Sequence, residues 1–428
     1  MQIETSSWVV RGYNMSYTLE GRVDGGKVVL AERVRQIQPS PTLALTARAQ
    51  QLRQQGIDVL AFTAGEPDLD TPDFAKAGGL EAIHAGYTKY TPSVGIASLR
   101  EAISEKFRRD NRLHYAPEQV VVTCGAKHAL FSTLMAILNP GDEVLIPTPC
   151  WVSYPEQVRL MGGVPIFIPT DERSDFLPTR EQLQAAITPR TKAILLNTPH
   201  NPTGTVYPRQ TLKEIASLAL THNLWIIADE IYEALLYDGL HHESIGALSR
   251  EVLARTITVN GVSKSYAMTG WRIGYLGAPL EIARAVACLQ DQMTSNPCTI
   301  AQYAALYALS SDRHGWLNTM RQLFAARRQL MFEGLAQLPG VRCFRPRGAF
   351  YVFANVQGLL PCRAGERLLT TSAELAEYLL EVAQVAVVPG EAFCAPGYLR
   401  LSYAVSEEVI RAGIERIANA LTELKPAD

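Results

Sequence analysis

The sequence of 428 residues lacks the patterns that mark several large classes of protein. It contains no uncharged apolar run long enough to cross a membrane and no signal-peptide core near its start. Its formal net charge of −2 gives no electrostatic reason to expect nucleic acid or a membrane surface as a partner. With 47% hydrophobic and 19% charged residues, the composition is typical of a globular protein. We therefore expect a globular protein whose partners are small molecules.

Cysteine and histidine patterns exclude two further classes. The seven cysteines are odd in number, scattered along the chain and free of any C-x-x-C pair, so they predict neither a disulfide framework nor a zinc site. The eight histidines form no H-E-x-x-H motif, and we predict no metal. Scattered cysteines of this kind are typical of a reducing compartment, which predicts a cytoplasmic protein.

The N-terminal segment carries a motif that we interpret as chance. Residues 21–27 nearly match a nucleotide-binding P-loop, but Val28 stands where that motif requires a magnesium-binding Ser or Thr. No predicted strand leads into the segment. We predict that residues 1–30 form a loose extension, for which Met15 is an alternative start.

Short apolar runs alternate with stretches of helical period through the middle of the chain. Strands are predicted at 120–123, 143–146, 193–196, 224–228 and 256–259, and helices at 127–138 and 209–222. This alternation predicts an α/β fold with a mostly parallel sheet flanked by helices. After about Met331 the pattern changes to a hairpin (341–356), a helix (373–382), a strand (399–403) and a terminal helix. That part predicts a smaller α+β domain.

The chain is also longer than one hydrophobic core usually supports, so more than one domain is expected. We predict a large domain over 76–330 and a C-terminal small domain over 331–428. Residues 31–75 are predicted to contribute to the small domain. No low-complexity linker separates the parts, so the two domains are expected to pack closely.

The segment from Asn260 to Gly274 is the richest in candidate chemistry. Lys264 follows a predicted strand and lies among small residues, where its amine could reach a cofactor in a cleft. Arg272 lies close by in the sequence. A nearby cation and partial burial lower the pKa of a lysine, as formation of an imine requires. On its own, a lysine in such a loop is more often structural or exposed.

A second candidate lies at residues 124–127, Cys-Gly-Ala-Lys, between a predicted strand and a predicted helix. Free backbone N–H groups and the helix dipole at such a junction favour binding of a phosphate. An ordinary strand-to-helix turn is the alternative.

Polar residues also follow two further strands. Asn201 lies in a loop fixed by Pro199, Pro202 and Gly204, which directs its side chain past the strand end; a rigid turn capped by Asn201 is the alternative. Asp229 ends a buried apolar strand, where a carboxylate is costly without a cationic partner. A protonated pyridine nitrogen would be such a partner. The competing role for Asp229 is a helix N-cap.

These segments and several others occur in the order found in a known family. They are Ala64-Gly65-Glu66-Pro67-Asp68, Lys89-Tyr90-Thr91-Pro92, Pro149-Cys150-Trp151-Val152-Ser153-Tyr154, Asn201-Pro202-Thr203-Gly204, Asp229-Glu230-Ile231-Tyr232, Ser263-Lys264, Gly270-Trp271-Arg272 and Leu399-Arg400-Leu401-Ser402-Tyr403. The set resembles the fold-type I pyridoxal-phosphate (PLP) enzymes of the class I/II aminotransferases, most like bacterial and cyanobacterial aspartate aminotransferases of the gamma subgroup. The resemblance covers about Leu30 to Leu424 and implies a fold-type I PLP-transferase architecture.

The resemblance implies a catalytic role for three residues. Lys264 would bind PLP through a Schiff base and move the proton between the substrate Cα and C4′ of the cofactor. Asp229 would pair with the pyridine nitrogen. Tyr232, together with Asn201, would hydrogen-bond the 3′-oxygen of the cofactor and keep the pKa of the imine low.

The resemblance also implies a set of residues around the cofactor. The phosphate would be bound by Gly125, Ala126 and Arg272, and by Tyr90 of the partner subunit in a homodimer. Trp151 would stack on the ring. Lys127 and Ser263 complete the predicted cofactor-binding set. A plain core role for Trp151 and a plain interface role for Tyr90 are the alternatives.

Substrate binding is implied at Gly65, Lys127, Trp151, Asn201 and Arg400. Arg400 would bind the substrate α-carboxylate through two parallel hydrogen bonds. Lys127 matches the position that similar enzymes use for a distal carboxylate. This favours a ping-pong reaction of aspartate or glutamate with 2-oxoglutarate or oxaloacetate.

Three alternatives to that reaction stay open at this point. The first is a prephenate or aromatic aminotransferase, and the second is a PLP-dependent lyase on the same fold. The third is a non-catalytic regulator with a PLP-enzyme fold. Such a regulator normally lacks the lysine or carries a fused DNA-binding domain, for which residues 1–30 are too short.

Three residues depart from the family pattern. His200 replaces a more usual Asn or Ser, Cys150 replaces Tyr, and Gly261 replaces a phosphate-binding Ser, which Ser263 or Ser265 could replace in turn. We also predict cis peptide bonds at Thr148–Pro149 and Asn201–Pro202, because each lies beside a residue that must face the cofactor.

Overall fold

The computed structural model of the chain describes residues 22–23, 26–27, 31–35, 37, 41–310 and 313–427. The α-helices within these ranges are α1 (Glu32–Arg35), α2 (Pro41–Gln54), α3 (Asp73–His84), α4 (Ala97–Lys106), α5 (Ala126–Ile137), α6 (Ser153–Leu160), α7 (Arg180–Ala186), α8 (Arg209–Thr221), α9 (Arg250–Leu253), α10 (Leu280–Met293), α11 (Thr299–Ser310), α12 (Arg313–Ala336), α13 (Ser372–Val382) and α14 (Glu407–Thr422).

The β-strands within the same ranges are β1 (Arg22–Val23), β2 (Gly26–Lys27), β3 (Leu60–Ala61), β4 (Val120–Thr123), β5 (Glu143–Thr148), β6 (Val164–Pro169), β7 (Thr191–Asn197), β8 (Trp225–Asp229), β9 (Thr256–Gly261), β10 (Gly274–Gly277), β11 (Arg342–Cys343), β12 (Tyr351–Asn355), β13 (Cys362–Ala364), β14 (Arg367–Leu369), β15 (Val385–Ala386), β16 (Val388–Pro389), β17 (Tyr398–Ser402) and β18 (Lys425–Pro426).

A seven-stranded sheet in the order β4-β10-β9-β8-β7-β5-β6 forms the centre of the fold. Its strands are parallel except β10, which is antiparallel to both of its neighbours. The predicted α/β fold with a mostly parallel sheet is therefore confirmed. The sequence pattern did not predict β6 and β10. Two prolines in β6 and two glycines in β10 are atypical of strands, although proline is tolerated at a sheet edge, where β6 lies.

Helices cover both faces of this sheet because its strands are apolar on both sides. Along β8, Ile226 belongs to a cluster that includes Leu212 of α8, whereas Ile227 belongs to a cluster that includes Leu130 of α5. Successive side chains of a strand point to opposite faces, so a run of Ile and Val fills two cores at once.

The C-terminal part builds a second, antiparallel sheet in the order β11-β12-β17-β16. Strand β17 pairs with β12 so that Arg400 lies opposite Phe353. The same part packs against α13 and α14 in a core of its own. Strand β3, from the N-terminal segment, pairs in parallel with β15, Leu60 opposite Val385. These contacts support a small domain built from both ends of the chain, and its exact boundaries stay a prediction.

The predicted N-terminal extension lies largely outside the described residues. Within it, β1 and β2 form a short antiparallel pair with Arg22 opposite Lys27. Among the residues that the structure describes, no helix has the length and apolar character needed to span a membrane.

The topology gathers one set of loops at one edge of the large sheet. Strands β4, β5, β7, β8 and β9 run in parallel, so the loops that follow them share this edge. Strand β10 runs the opposite way, so the residues that precede it reach the same edge. This edge carries the candidate site.

Candidate active site

Lys264 lies in the turn that follows β9. Its Nζ donates a hydrogen bond to the carbonyl oxygen of Gly65 at 2.6 Å. Burial lowers the pKa of Lys264 to about 8, with a further lowering contribution from Arg272 that the carboxylates of Glu66 and Asp229 oppose. A much larger fraction of this amine is therefore neutral, and able to act as a nucleophile, than for an ordinary lysine.

Asp229 is the last residue of β8 and is 4% exposed. The hydroxyl of Tyr154 donates a hydrogen bond to its Oδ2 at 2.7 Å, and the N–H of Ile231 donates to its Oδ1 at 3.2 Å. Burial raises the pKa of Asp229 to about 6, because these two donors offset only part of the desolvation cost. Residues 231–234 form a turn rather than a helix, so the alternative helix-cap role is absent.

Asn201 connects the end of β7 to the small domain. Its N–H donates to Oδ1 of Asn197 at 2.8 Å, and Nδ2 of Asn197 donates to the backbone carbonyl of Asp229 at 3.0 Å. Its own Oδ1 accepts from Nη1 of Arg400 at 3.0 Å. Asn201 therefore contacts the arginine that the sequence predicts to bind substrate, which a simple turn cap would not require.

Arg400 is 2% exposed and carries unused hydrogen-bonding capacity. Its Nη2 donates to the carbonyl of Thr63 at 2.8 Å, while Nε has no partner. The guanidinium lies 4.4 Å from the ring centre of Tyr351 and 4.9 Å from that of Phe393. It forms no ion pair with any described carboxylate. A buried guanidinium in this state is suited to an anionic ligand.

Tyr232 lies just after β8 and is buried. Its hydroxyl and that of Tyr351 are 2.9 Å apart. Burial and the neighbouring Tyr351 raise the pKa of Tyr232 well above its ordinary value, so its hydroxyl keeps its proton and can donate a hydrogen bond.

The junction between β4 and α5 forms a concave site beside Arg272. Gly125 has a φ of +90°, and a Cβ added there would lie 2.5 Å from Nη2 of Arg272. A Cβ on Gly274 would lie 2.2 Å from the backbone nitrogen of Ala126, so β10 packs directly on the helix start. Only glycine fits at either position. The free N–H groups of a twelve-residue helix and an exposed guanidinium thus meet at one place.

Trp151 lies beside Lys127, which is in the first turn of α5. The Nζ of Lys127 is 4.9 Å from the centre of the Trp151 ring, and burial followed by the charge of Arg272 lowers the pKa of Lys127. Trp151 packs edge-to-face on Tyr154 with ring centres 5.3 Å apart. Through Tyr154, the aromatic pair reaches Asp229.

Two predicted site residues are placed differently from this cluster. Tyr90 is 90% exposed, at the surface of its own chain. Ser263 precedes Lys264 and is buried, as is Ser265. The remaining predicted residues lie on the shared sheet edge or, for Gly65 and Arg400, contact it through Lys264 and Asn201.

The three departures from the family pattern have distinct surroundings. His200 is buried with its Nδ1 2.7 Å from Oγ1 of Thr203, and burial lowers its pKa to about 3, so the imidazole is neutral. Gly261 packs against Gly274, whose Cα would lie 3.1 Å from an added Cβ. Cys150 is buried. The cis bonds predicted at Thr148–Pro149 and Asn201–Pro202 are both confirmed, and Thr198–Pro199 is cis as well.

Sequence reasoning assigned no role to three residues that complete the site: Tyr154, Tyr351 and Thr63. Tyr154 follows Trp151 by three residues at the start of α6, a spacing that places both on one face of a helical turn. That spacing could have indicated its contact with Asp229. Tyr351 and Thr63 come from distant parts of the chain, and no local pattern indicates them.

Comparison with known proteins shows which family the chain belongs to. A family model described as aminotransferase class I and II matches residues 57–417. The chain belongs to this family. An aspartate aminotransferase from Bacillus sp. (strain YM-2) is 47% identical over 392 residues, which cover 91% of this chain and 98% of that protein. A probable aspartate/prephenate aminotransferase from Aquifex aeolicus is 48% identical over 396 residues, 92% of this chain and 99% of that protein.

Solved structures of aspartate aminotransferases share the fold. The structure of Thermus thermophilus aspartate aminotransferase with maleate has a TM-score of 0.87 and 46% identity, covering 92% of this chain and all of that chain. The Rhizobium meliloti aspartate aminotransferase has a TM-score of 0.90 and 43% identity over 93% of this chain. The chain is therefore a PLP-dependent aminotransferase, and the lyase and regulator alternatives are not favoured.

The residues present fit the cofactor of these aminotransferases. A buried carboxylate, Asp229, has no ion-pair partner among the described side chains, as a site for a protonated ring nitrogen requires. The junction at Gly125 offers backbone donors and Arg272 to a phosphate. Lys264, a lysine with a lowered pKa, interacts electrostatically with both Asp229 and Arg272.

Proposed function

We propose that this aminotransferase transfers the amino group of aspartate or glutamate to a dicarboxylic 2-oxo acid. The observation that carries the proposal is a pair of cations without carboxylate partners among the described residues, Arg400 and Lys127. Arg400 is suited to the α-carboxylate that every amino acid carries. Lys127 is suited to the second carboxylate that only acidic substrates carry.

We assign the cofactor contacts to the residues at the sheet edge. Asp229 would pair with the ring nitrogen, and Tyr232 and Asn201 would donate to the ring oxygen. The backbone at Gly125 and Ala126, together with Arg272, would hold the phosphate. Trp151 would pack against the ring, and Ser263 and Lys127 would complete the cofactor site. These assignments rest on burial, hydrogen-bonding capacity and the shared position of the loops.

When bound, PLP supplies an electrophilic carbon for the amino group and a ring that withdraws electrons from Cα. The protein supplies the rest of the reaction. Lys264 Nζ would move the proton away from the substrate Cα, and its lowered pKa keeps it competent as a base near neutral pH. Asp229 would keep the ring nitrogen protonated, and Arg400 would bind the substrate α-carboxylate and so position Cα near Lys264.

The choice of acidic substrate follows from the charges. Lys127 is exposed at the edge of the site, yet its pKa is lowered first by partial desolvation of the amine and second by the charge of Arg272, and both disfavour the ammonium. A carboxylate close to its ammonium would offset that cost, whereas an apolar side chain would not. Prephenate, a 2-oxo acid with a second carboxylate, meets the same condition, and relatives named aspartate/prephenate aminotransferase support it as a further acceptor.

We also propose a homodimer in the cytoplasm. Tyr90 is 90% exposed, and the same region of the chain exposes Leu80, Ile83 and Tyr87. Such a patch is typical of an interface between subunits. In the dimer, Tyr90 of the partner subunit reaches the phosphate. Scattered free cysteines support a reducing compartment.

A substrate panel combined with Lys127→Ala tests the proposed specificity. We expect kcat/KM for aspartate to fall by about 30- to 150-fold, because a charge-assisted contact of roughly 2–3 kcal/mol is lost. The value for alanine should change little. Stopped-flow measurement of the half-reaction with each amino acid gives both numbers, and oxaloacetate, 2-oxoglutarate, prephenate and phenylpyruvate are compared as acceptors.

The matched control is Lys213→Ala, since Lys213 is an exposed lysine on α8. It should leave both substrates unaffected. Equal losses for aspartate and alanine in Lys127→Ala would show that Lys127 serves the phosphate or the fold, and the proposed preference for acidic substrates would be wrong. Preference for phenylpyruvate over every dicarboxylic acceptor would favour an aromatic aminotransferase instead.

A further inference from the structure

Two cysteines meet beside the active-site loop, and amino transfer uses neither. Cys150 lies between Pro149 and Trp151 and is 1% exposed. Cys394 immediately follows the 3-10 helix Gly390–Phe393 and is exposed to solvent. Cys150 follows β5 of the large sheet, whereas Cys394 precedes β17 of the small sheet. The pair therefore spans the two sheets on which the site is built.

A backbone hydrogen bond brings these two residues together. The N–H of Cys150 donates to the carbonyl of Phe393 at 3.0 Å. Because Phe393 directly precedes Cys394, the backbones of the two cysteines are adjacent. Adjacent backbone segments suit a disulfide, which spans Cα atoms roughly 4.4–6.8 Å apart.

The thiols are also in contact and differ in acidity. The Cys150 and Cys394 thiols interact closely enough to perturb each other. The interaction with the Cys150 thiol and the charge of Arg159 hold the pKa of Cys394 below its ordinary value despite partial burial. The contact with Cys394 and burial raise the pKa of Cys150 well above its ordinary value. Cys394 therefore ionises first and is exposed to solvent, whereas the Cys150 thiol stays protonated and buried.

We propose that Cys150 and Cys394 are a redox modification site that forms a reversible disulfide on reaction with a hydroperoxide. The Cys394 thiolate attacks the O–O bond of hydrogen peroxide, takes up one oxygen as sulfenic acid and, with one proton, releases water. The Cys150 sulfur then displaces the hydroxyl of that sulfenic acid, which leaves as a second water with the Cys150 proton. Two thiols lose two electrons and two protons, and one peroxide becomes two waters.

The disulfide joins the parts of the chain that hold cofactor and substrate. Cys150 directly precedes Trp151, which we assign to the cofactor ring. Phe393 directly precedes Cys394, and its ring lies 4.9 Å from the Arg400 guanidinium. Oxidation fixes the distance between these loops, so it changes how Arg400 and Trp151 can adjust to substrate.

Peroxide titration of the purified holoenzyme tests the site. We expect the intact mass to fall by two hydrogens and peptide mapping to recover a Cys150–Cys394 crosslink. We also expect kcat/KM for aspartate to change at least about twofold and to return on treatment with dithiothreitol. The mass measurement needs no substrate, so it is independent of the proposed specificity.

Cys394→Ser should abolish both the crosslink and the activity response, and Cys150→Ser should do the same. Cys288→Ser is the matched control, because Cys288 is an exposed cysteine on α10, and it should respond like the wild type. A crosslink between other cysteines, such as Cys124 and Cys298, would overturn the assignment. Stable oxygen addition at Cys394 without a crosslink, or a crosslink that leaves kcat/KM unchanged, would also overturn the proposal.

Discussion

Asp229 and Glu230 are consecutive in the chain but belong to two different buried polar regions. The charged groups of these regions differ in whether they have ion-pair partners. Asp229 faces the candidate active site and accepts hydrogen bonds from one tyrosine and one backbone N–H. Glu230, which is 0% exposed, faces a network behind it. The members of that network are Lys106, Asn111, Glu230, Glu233, His242 and Ser244.

In the network, positive and negative groups are matched. Lys106 is in contact with Glu233, and Nε2 of His242 lies 3.0 Å from Glu230, close enough for an ion contact although the alignment is poor for a hydrogen bond. Burial opposes a charge on His242, yet the adjacent Glu230 raises its pKa above the ordinary value. The network thus pairs its two carboxylates with an ammonium and an imidazole. The cluster of Glu230, Glu233 and His242 has metal-ligand chemistry, but Lys106 already supplies a cation there.

In the active site the charges lack such matches. Asp229, Lys127, Arg272 and Arg400 form no ion pair with a described side chain. The difference teaches that carboxylates with cationic groups beside them indicate a structural network, whereas buried charges without an ion-pair partner, here Asp229 and Arg400, indicate a place for a ligand. Substitutions in the active site should therefore lower activity and spare stability, whereas substitutions in the network should lower stability and spare activity.

The largest expected effect is on the active-site lysine. Lys264→Ala should lower turnover by at least roughly 10⁴-fold, the upper end of what a positioned acid–base group contributes, because both the covalent link and the proton transfer are lost. Borohydride treatment should no longer fix the cofactor to the chain. Thermal stability should be retained, since the variant removes a buried amine whose charge is costly. Near wild-type turnover would disprove the assignment, and Lys264→Arg checks that positive charge alone does not suffice.

The next effect separates the two neighbouring acids directly. Asp229→Asn should reduce kcat by about 10²-fold or more, because removing one partner of a buried ion pair costs roughly 3–5 kcal/mol once cofactor is bound. Glu230→Gln should instead lower the free energy of unfolding by a similar amount and leave kcat near the wild-type value. Steady-state kinetics and chemical denaturation of both variants give the comparison.

The opposite pattern would refute the comparison. If Glu230→Gln lowered kcat as much as Asp229→Asn does, the network would be part of the catalytic site rather than its support. Ser244→Ala serves as a milder control, because it removes the 2.6 Å hydrogen bond to Glu230 and the 2.9 Å hydrogen bond from Asn111 and leaves the charges in place.

Which of these features the sequence could predict depends on how local they are. Local apolar runs predicted β4, β5, β7, β8 and β9, and each run is followed by polar residues. They therefore also predicted that Asp229 and Lys264 share one edge of the sheet. The position of Arg272 at that edge depends on β10 running antiparallel, which its glycine-rich sequence does not reveal.

The partners of these residues are harder to predict. Tyr351 and Thr63 reach Arg400 only through the pairing of β12 with β17 and the return of the N-terminal segment to the small domain. Likewise, Cys150 was recognised as unusual, but its neighbour Cys394 lies far along the chain. Long-range pairing of this kind leaves no periodic signal in a single sequence.

The smallest effect concerns pH and the stability of the cofactor-free protein. The pKa of Asp229 is raised from 3.8 to about 6 by burial, so between these values the folded chain keeps a proton that the unfolded chain has released. Stability of the wild type therefore falls as pH rises through this window, whereas Asp229→Asn has no proton to lose there. Relative to the wild type, the free energy of unfolding of the variant should rise between about pH 4 and pH 6. Above pH 6 the difference should stay constant, at no more than about 3 kcal/mol.

Bound cofactor should reverse the sign of this difference. A protonated ring nitrogen beside Asp229 favours the carboxylate. At pH 7 to 8 the wild type should therefore be more stable than Asp229→Asn with cofactor bound, and less stable than Asp229→Asn without cofactor. Denaturant midpoints of both proteins, with and without cofactor, measured across this pH range, test the reversal. An advantage of Asp229→Asn that is independent of pH in the apoprotein would mean that Asp229 is not destabilised by burial. An advantage that persists in the holoenzyme would mean that its carboxylate has no cationic partner in the cofactor.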